Sequence, residues 1–174
     1  MNTDQFTIKT VNPDDWPLLL DISRQTFVEA YAKDTDAADM NLYLSQDLTA
    51  SIIQQQLQQP TTRFFFLQNE EEVMAYAKLR WDRPHEHFNG TAAIELERLY
   101  TRKAHWGKGL GSQLLAHCLA FAKRHQFEWM WLLVWHKNEA GIRFYQRHGF
   151  EQFGFKQFKF GTDVTNDWVM KRRV

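Results

Sequence analysis

A chain of 174 residues suits one domain with a sizeable buried core, here residues 1–174 as a single unit. Its 21 Lys and Arg balance 21 Asp and Glu, which argues against a nucleic-acid partner and makes any electrostatic recognition local. A lone cysteine, Cys118, excludes an internal disulfide and fits a reducing, cytoplasmic setting, while no signal-peptide pattern follows Met1 and no apolar run reaches membrane-spanning length.

In chain order, Phe6 to Val11 alternates as a strand does, and Asn12-Pro13-Asp14-Asp15 stops it and starts a helix running to Tyr31. Lys33 to Asp39 is a short acidic segment. It reads either as a solvated linker with capping aspartates or, together with Glu29, as an attractor for a cationic substrate. Met40 to Leu44 and Leu48 to Leu57 read as short helices, Arg63 to Leu67 and Val73 to Trp81 as a hairpin turning at Asn69 to Glu72. His85 and His87 lie in a polar loop after Pro84 without the fixed ligands a metal site needs, and no metal is expected.

Ala92 to Thr101 is the next strand, and Gly109 to His125 carries Leu110, Leu114, Leu115, Cys118, Leu119 and Ala122 at helical spacing, so Cys118 faces the core. Glu128 to Trp135 is apolar on both faces, as in a sheet interior; a helix from Glu139 to His148 closes at Gly149. Phe150 to Phe160 and Thr165 to Lys171 form a last strand pair around Gly161-Thr162-Asp163. The order predicts an α/β fold: a mixed, mostly antiparallel central sheet of about seven strands flanked by helices. Fourteen Phe, seven Trp and five Tyr imply an aromatic core and are compatible with a homodimer surface.

Between the strand ending at Thr101 and the helix from Gly109 lies a basic loop, Arg102-Lys103-Ala104-His105-Trp106-Gly107-Lys108-Gly109-Leu110-Gly111-Ser112. Glycine takes either sign of φ and lets backbone N–H groups approach an anion, and the helix behind adds unpaired N–H groups and the positive end of its dipole. The glycine spacing matches neither a P-loop nor Gly-x-Gly-x-x-Gly, and pyrophosphate is the expected anion. Asn138 and Tyr145 are seven residues apart, on one helix face about 10 Å from each other. Asn138 alone reads equally as a helix cap and Tyr145 alone as core. Glu95 and Glu97 lie two apart on one strand and share a face.

Trp106 to Gly111 resembles the acetyl-CoA pyrophosphate loop of the GNAT superfamily of N-acetyltransferases, Gln/Arg-x-x-Gly-x-Gly/Ala, and Asn138 to Phe150 resembles its second signature. The segments Gln25 to Phe27, Trp131 to Asn138 and Phe160 to Asp167 resemble bacterial spermine/spermidine N-acetyltransferases. The resemblance implies a sheet splayed between the strands at 92–101 and 128–135. It implies that Leu99, Tyr100 and Thr101 offer backbone groups to the pantetheine arm and that Gly107, Lys108, Gly109, Leu110, Gly111 and Ser112 hold the pyrophosphate. Asn138 would contact the pantetheine, and Tyr145 would protonate the departing thiolate. Trp106 departs from the pattern at the Gln/Arg position, which leaves Arg102 or Lys103 to compensate if a side-chain donor is required.

The implied reaction moves the acetyl group of acetyl-CoA, the cosubstrate, to a small primary amine, with a polyamine such as spermidine as the leading acceptor. Such an amine, with a pKa of about 10.4, is mostly ammonium at neutral pH and must lose a proton before attack. Glu95 matches the position of the general base in some superfamily members, with Glu97 as the alternative. A protein N-terminus or an aminoglycoside is the other acceptor class, and a non-catalytic CoA-binding sensor is the reading outside enzymology.

Overall fold

The computed structural model describes residues 6–83, 85–88, 90–160 and 162–174; Gly161 of the expected last turn, Pro84 and residues 1–5 lie outside the described residues. Helix starts follow their capping residues. The Asp15 carboxylate accepts from the Asn12 N–H at 3.1 Å ahead of α1 (Trp16–Tyr31), Asp36 accepts from Ala38 N at 2.8 Å for α2 (Ala37–Gln46), and Thr49 caps α3 (Ala50–Gln58). Two more helices, α4 (Leu110–Arg124) and α5 (Glu139–Arg147), follow Gly109 and Asn138.

The strands β1 (Thr7–Thr10), β2 (Thr62–Gln68), β3 (Val73–Arg80), β4 (Ala93–Thr101), β5 (Trp129–Val134), β6 (Glu151–Phe160) and β7 (Asp163–Arg173) form one sheet. Its order is β1-β2-β3-β4-β5-β7-β6, antiparallel everywhere except between β4 and β5. The α/β architecture, seven strands and flanking helices read from the sequence are those observed.

Alternation along β2 explains the two cores. Phe64 and Phe66 turn to the face covered by α1, α2 and α3, among Leu19, Ile22, Ile53 and Tyr76, whereas Phe65 and Leu67 turn to the α4 and α5 face, among Leu114, Leu115, Cys118 and Ile142. Each fully buried Phe or Leu contributes about 1.5–3 kcal/mol of burial. Cys118 sits in that second core, and burial pushes its thiol up, as a structural rather than reactive cysteine requires.

Two departures from a regular sheet create the site. The β3–β4 register slips between Lys78 and Leu79, so that Lys78 faces Arg98 and Leu79 faces Leu96. The extra residue on β4 inverts the alternation: Ile94 and Leu96 belong to the α4 side, but so does Leu99, and Tyr100 goes to the α1 side. The second departure is the short ladder between β4 and β5, whose rungs are Ala93–Trp129, Ile94–Met130 and Glu95–Trp131. Beyond Glu95 the two strands part, and a slot opens through the sheet where the resemblance placed it.

Candidate active site

One mouth of the slot is made of main chain. Gly107 and Gly109 both hold φ at +77°, a conformation that costs a side-chain-bearing residue about 1–2 kcal/mol, and a Cβ at either would meet nothing within 4 Å. The cradle is therefore set by backbone conformation with open space before it. The N–H groups of Leu110, Gly111 and Ser112 form the first turn of α4, where helical geometry supplies no partner, and they fit an anion such as pyrophosphate. Gly111 is different: an added Cβ would meet Phe144 at 3.7 Å and the Thr101 hydroxyl at 3.8 Å, ordinary contact distances.

Arg102, His105 and Trp106 of the basic loop are engaged by neighbouring residues. Arg102 donates to the Val73 carbonyl at 2.7 Å and to Gln25, with Asp21 at 3.4 Å, which ties the end of β4 to α1 and β3. Arg102, one of the two residues considered as compensating for the missing Gln/Arg, is thus already partnered. Trp106 is half exposed, and its indole N–H donates to the Thr101 carbonyl at 2.7 Å. Thus one of the backbone acceptors expected to face pantetheine already holds a donor. His105 meets Glu72 at 2.7 Å and Lys108 at 3.3 Å.

Asn138 is the cap of α5: its Oδ1 accepts from Gly141 N at 2.9 Å, and a Cβ on Gly141 would fall 2.6 Å from the Asn138 Nδ2, so glycine there is a steric requirement of the cap. The expected helix face from Asn138 to Tyr145 exists, with Asn138 just outside the first turn. Tyr145 packs against Phe144 and Phe150, and burial, reinforced by Tyr31 and Cys118, raises its phenol well above the ordinary value. Burial thus keeps this phenol protonated.

Through the slot, on the α1 side, lies a cavity of about 520 Å³. Glu95, Glu97, Arg98 and Tyr100 line it, whereas Asn138, Tyr145, Leu99 and the glycine loop do not. Glu95 and Glu97 do share a face, and both are ion-paired. Glu95, 3% exposed, accepts from Arg80 Nε at 2.6 Å. Burial raises its carboxyl despite that partner. Glu97 accepts from Lys78 at 2.9 Å and lies 3.0 Å from Arg80; burial works to raise it, but Lys78, Arg98 and Arg80 outweigh burial and hold it below the usual range. Lys78 in turn is pulled down to about 8 by burial, against the attraction of Glu97.

The acidic segment supplies a helix cap and also lies at the cavity. Asp36 caps α2, Asp39 accepts from the N–H and hydroxyl of Thr162, and Asp34, Asp36 and Asp39 all line the cavity. Glu29 does not; it accepts from Lys103 N at 2.7 Å.

Among the cavity residues that sequence reasoning did not single out as site residues are Tyr31, Trp135, Lys156 and Asp167. Tyr31 closes α1 with its hydroxyl 3.2 Å from that of Tyr100, and its ring meets Trp135 edge-on at 5.8 Å. The one local signal was Asp167, an acid at an inward strand position two residues before Val169, which has no exposed surface. Among the described residues no three His, Cys, Asp or Glu side chains assemble as a metal site.

The acetyltransferase (GNAT) family matches residues 16–150. An uncharacterised N-acetyltransferase encoded in the pepI 3′ region of Lactobacillus delbrueckii subsp. lactis is 32% identical over 171 residues, 96% of each chain. One from Mycobacterium tuberculosis is 27% identical over 133 residues, 76% of this chain and 80% of the other. Among solved structures, the PaiA N-acetyltransferase of Thermoplasma acidophilum in complex with coenzyme A superposes with a TM-score of 0.80 at 16% identity, covering 98% of this chain and 99% of that one.

Proposed function

This chain belongs to the acetyltransferase (GNAT) family and is an acetyl-CoA-dependent N-acetyltransferase; on that premise we propose that its acceptor is a small primary amine of the polyamine class. The observation that carries the proposal is the composition of the cavity. Six carboxylates line it against three cationic side chains, and two of those three, Arg80 and Arg98, already face Glu95 and Glu97. Asp34, Asp36 and Asp39 at the α1–α2 mouth thus offer uncompensated negative charge to an entering cation. Aromatic faces from Phe27, Tyr43, Trp135 and Phe160 supply apolar walls for methylene segments and cation–π partners for ammonium groups.

In this reading the pyrophosphate rests on Gly107 to Ser112, the pantetheine arm passes Leu99 to Thr101 and Asn138, and the thioester reaches the slot. Tyr145 supplies the proton to the departing thiolate. The buried Cys118 takes no part, and a reducing cytoplasm suits a chain whose one thiol is free.

The test is release of free thiol from acetyl-CoA over a panel of spermidine, spermine, putrescine, amino acids, aminoglycosides and peptides with free N-termini. Turnover with the polyamines and not with the peptides is expected. Preference for an aminoglycoside or peptide overturns the acceptor class, and CoA binding with no turnover on any amine leaves a sensor.

A further inference from the structure

The acceptor ammonium has to lose a proton at the slot, and the ion pairs around Glu95 and Glu97 leave neither carboxylate unpartnered for that task. Position argues against Glu95 as well. It stands opposite Trp131 on the last rung of the β4–β5 ladder, at the closed end of the slot. The backbone groups expected to hold the thioester arm begin at Leu99, four residues on, about 13 Å along an extended strand.

Asp167 occupies the other end. On β7, Val169 pairs directly with Leu133 of β5, so Asp167, two residues before it on the same face, lies beside Trp135, where β5 has parted from β4. Asp167 is 6% exposed and lines the cavity. The Thr165 hydroxyl donates to its Oδ1 at 2.8 Å, which fixes the carboxylate and leaves the other oxygen for the cavity. No cation pairs with it within 4.0 Å among the described residues. The groups facing it are Thr165 on its own strand, Lys156 in register on β6, His136 after β5 and Tyr31 at the end of α1. Lys156 is exposed, so its ammonium is solvated rather than held against the acid. The Tyr31 hydroxyl lies 3.2 Å from that of Tyr100 and its ring meets Trp135 at 5.8 Å, so Asp167 shares the open end of the slot with residues of both parted strands.

We propose that Asp167, rather than Glu95, accepts the proton of the acceptor ammonium. The proposal rests on the acetyl-transfer reading above. The ammonium gives one proton to the Asp167 carboxylate; the freed nitrogen lone pair forms the C–N bond at the thioester carbonyl carbon, and the C–S bond breaks with its electrons on sulfur. Tyr145 delivers a proton to that sulfur, and the second proton leaving nitrogen restores the phenol. Asp167 passes its proton to solvent through the open cavity, so the net reaction yields amide, free CoA thiol and one proton. Burial raises the carboxyl and Thr165 opposes that rise, which brings its basicity closer to the operating pH than an exposed aspartate would have.

The test compares Asp167→Asn with Glu95→Gln in steady-state acetylation of spermidine from pH 6 to 10, with CoA affinity measured by calorimetry. Asp167→Asn is expected to lose about 100-fold in kcat/KM at neutral pH, with CoA affinity unchanged, and to recover as pH rises and the amine deprotonates unaided. Glu95→Gln, which removes the carboxylate partner of Arg80 in the cavity wall, is expected to lower kcat/KM by a factor that is the same at every pH, since it removes no proton acceptor. Because the folded chain binds the Asp167 proton more readily than the unfolded chain does, the carboxylate destabilises the fold at neutral pH and its replacement leaves Tm undiminished. A loss in Asp167→Asn that is the same at every pH, or a loss in Glu95→Gln that recovers as pH rises, overturns the assignment. Absence of acetylation of every amine by the parent enzyme overturns the acetyl-transfer reading and this proposal with it.

Discussion

The two mouths of the slot between β4 and β5 are built by different parts of the chain. On the α4 side the working groups are main-chain N–H groups from one continuous stretch, and sequence matters there where backbone conformation demands glycine. On the α1 side the working groups are side chains brought from α1, α2 and strands β3 to β7. Under the proposed function the contrast is a division of labour: acetyl-CoA is held by backbone, and the amine acceptor by side chains, which are easily exchanged.

Substitutions on either side break or sharpen that division. Tyr145→Phe has the largest expected effect: kcat falls by about 100-fold while CoA binding by calorimetry changes little, because the thiolate loses its proton donor and the backbone cradle is untouched. Gly109→Ala is expected to raise the KM for acetyl-CoA by about tenfold, the equivalent of forcing an L-residue to positive φ. Gly111→Ala, whose Cβ meets only ordinary contacts, is expected to leave that KM within about twofold, and an equal penalty at both positions would disprove the conformational account.

Replacing Asp34, Asp36 and Asp39 together by Asn should lower kcat/KM for spermidine by about fivefold at low salt and by less at high salt, where exposed charges are screened, with the acetyl-CoA KM unmoved. Gly141→Ala has the smallest effect. Pushing a Cβ onto the Asn138 amide should cost about 1 kcal/mol through loss of the cap, a fall in Tm of about 3 °C by thermal melting.

The helices and strands were legible because their signals are local: capping residues such as Asp36 and Thr49, alternation in β2, helical spacing in α4. The glycine loop and Asn138 to Tyr145 were legible for the same reason, each lying in one continuous segment. Trp106 was readable as a departure, but its indole bond to Thr101 was not, since that bond depends on how the loop folds back.

By itself, then, the sequence determined the family, the element order, the glycine loop and the capped start of α5, all set by neighbours within a turn or a strand. Only the tertiary structure decided which acids are free. The bulge opposite Lys78 and Leu79 turned Tyr100 into the cavity, Arg80 from the adjacent strand took Glu95, Lys78 took Glu97, and β7 brought Asp167 to the open end of the slot. Whether a carboxylate is a partner or a base depends on what stands within a few ångströms of it, and those neighbours come from residues far away in the chain.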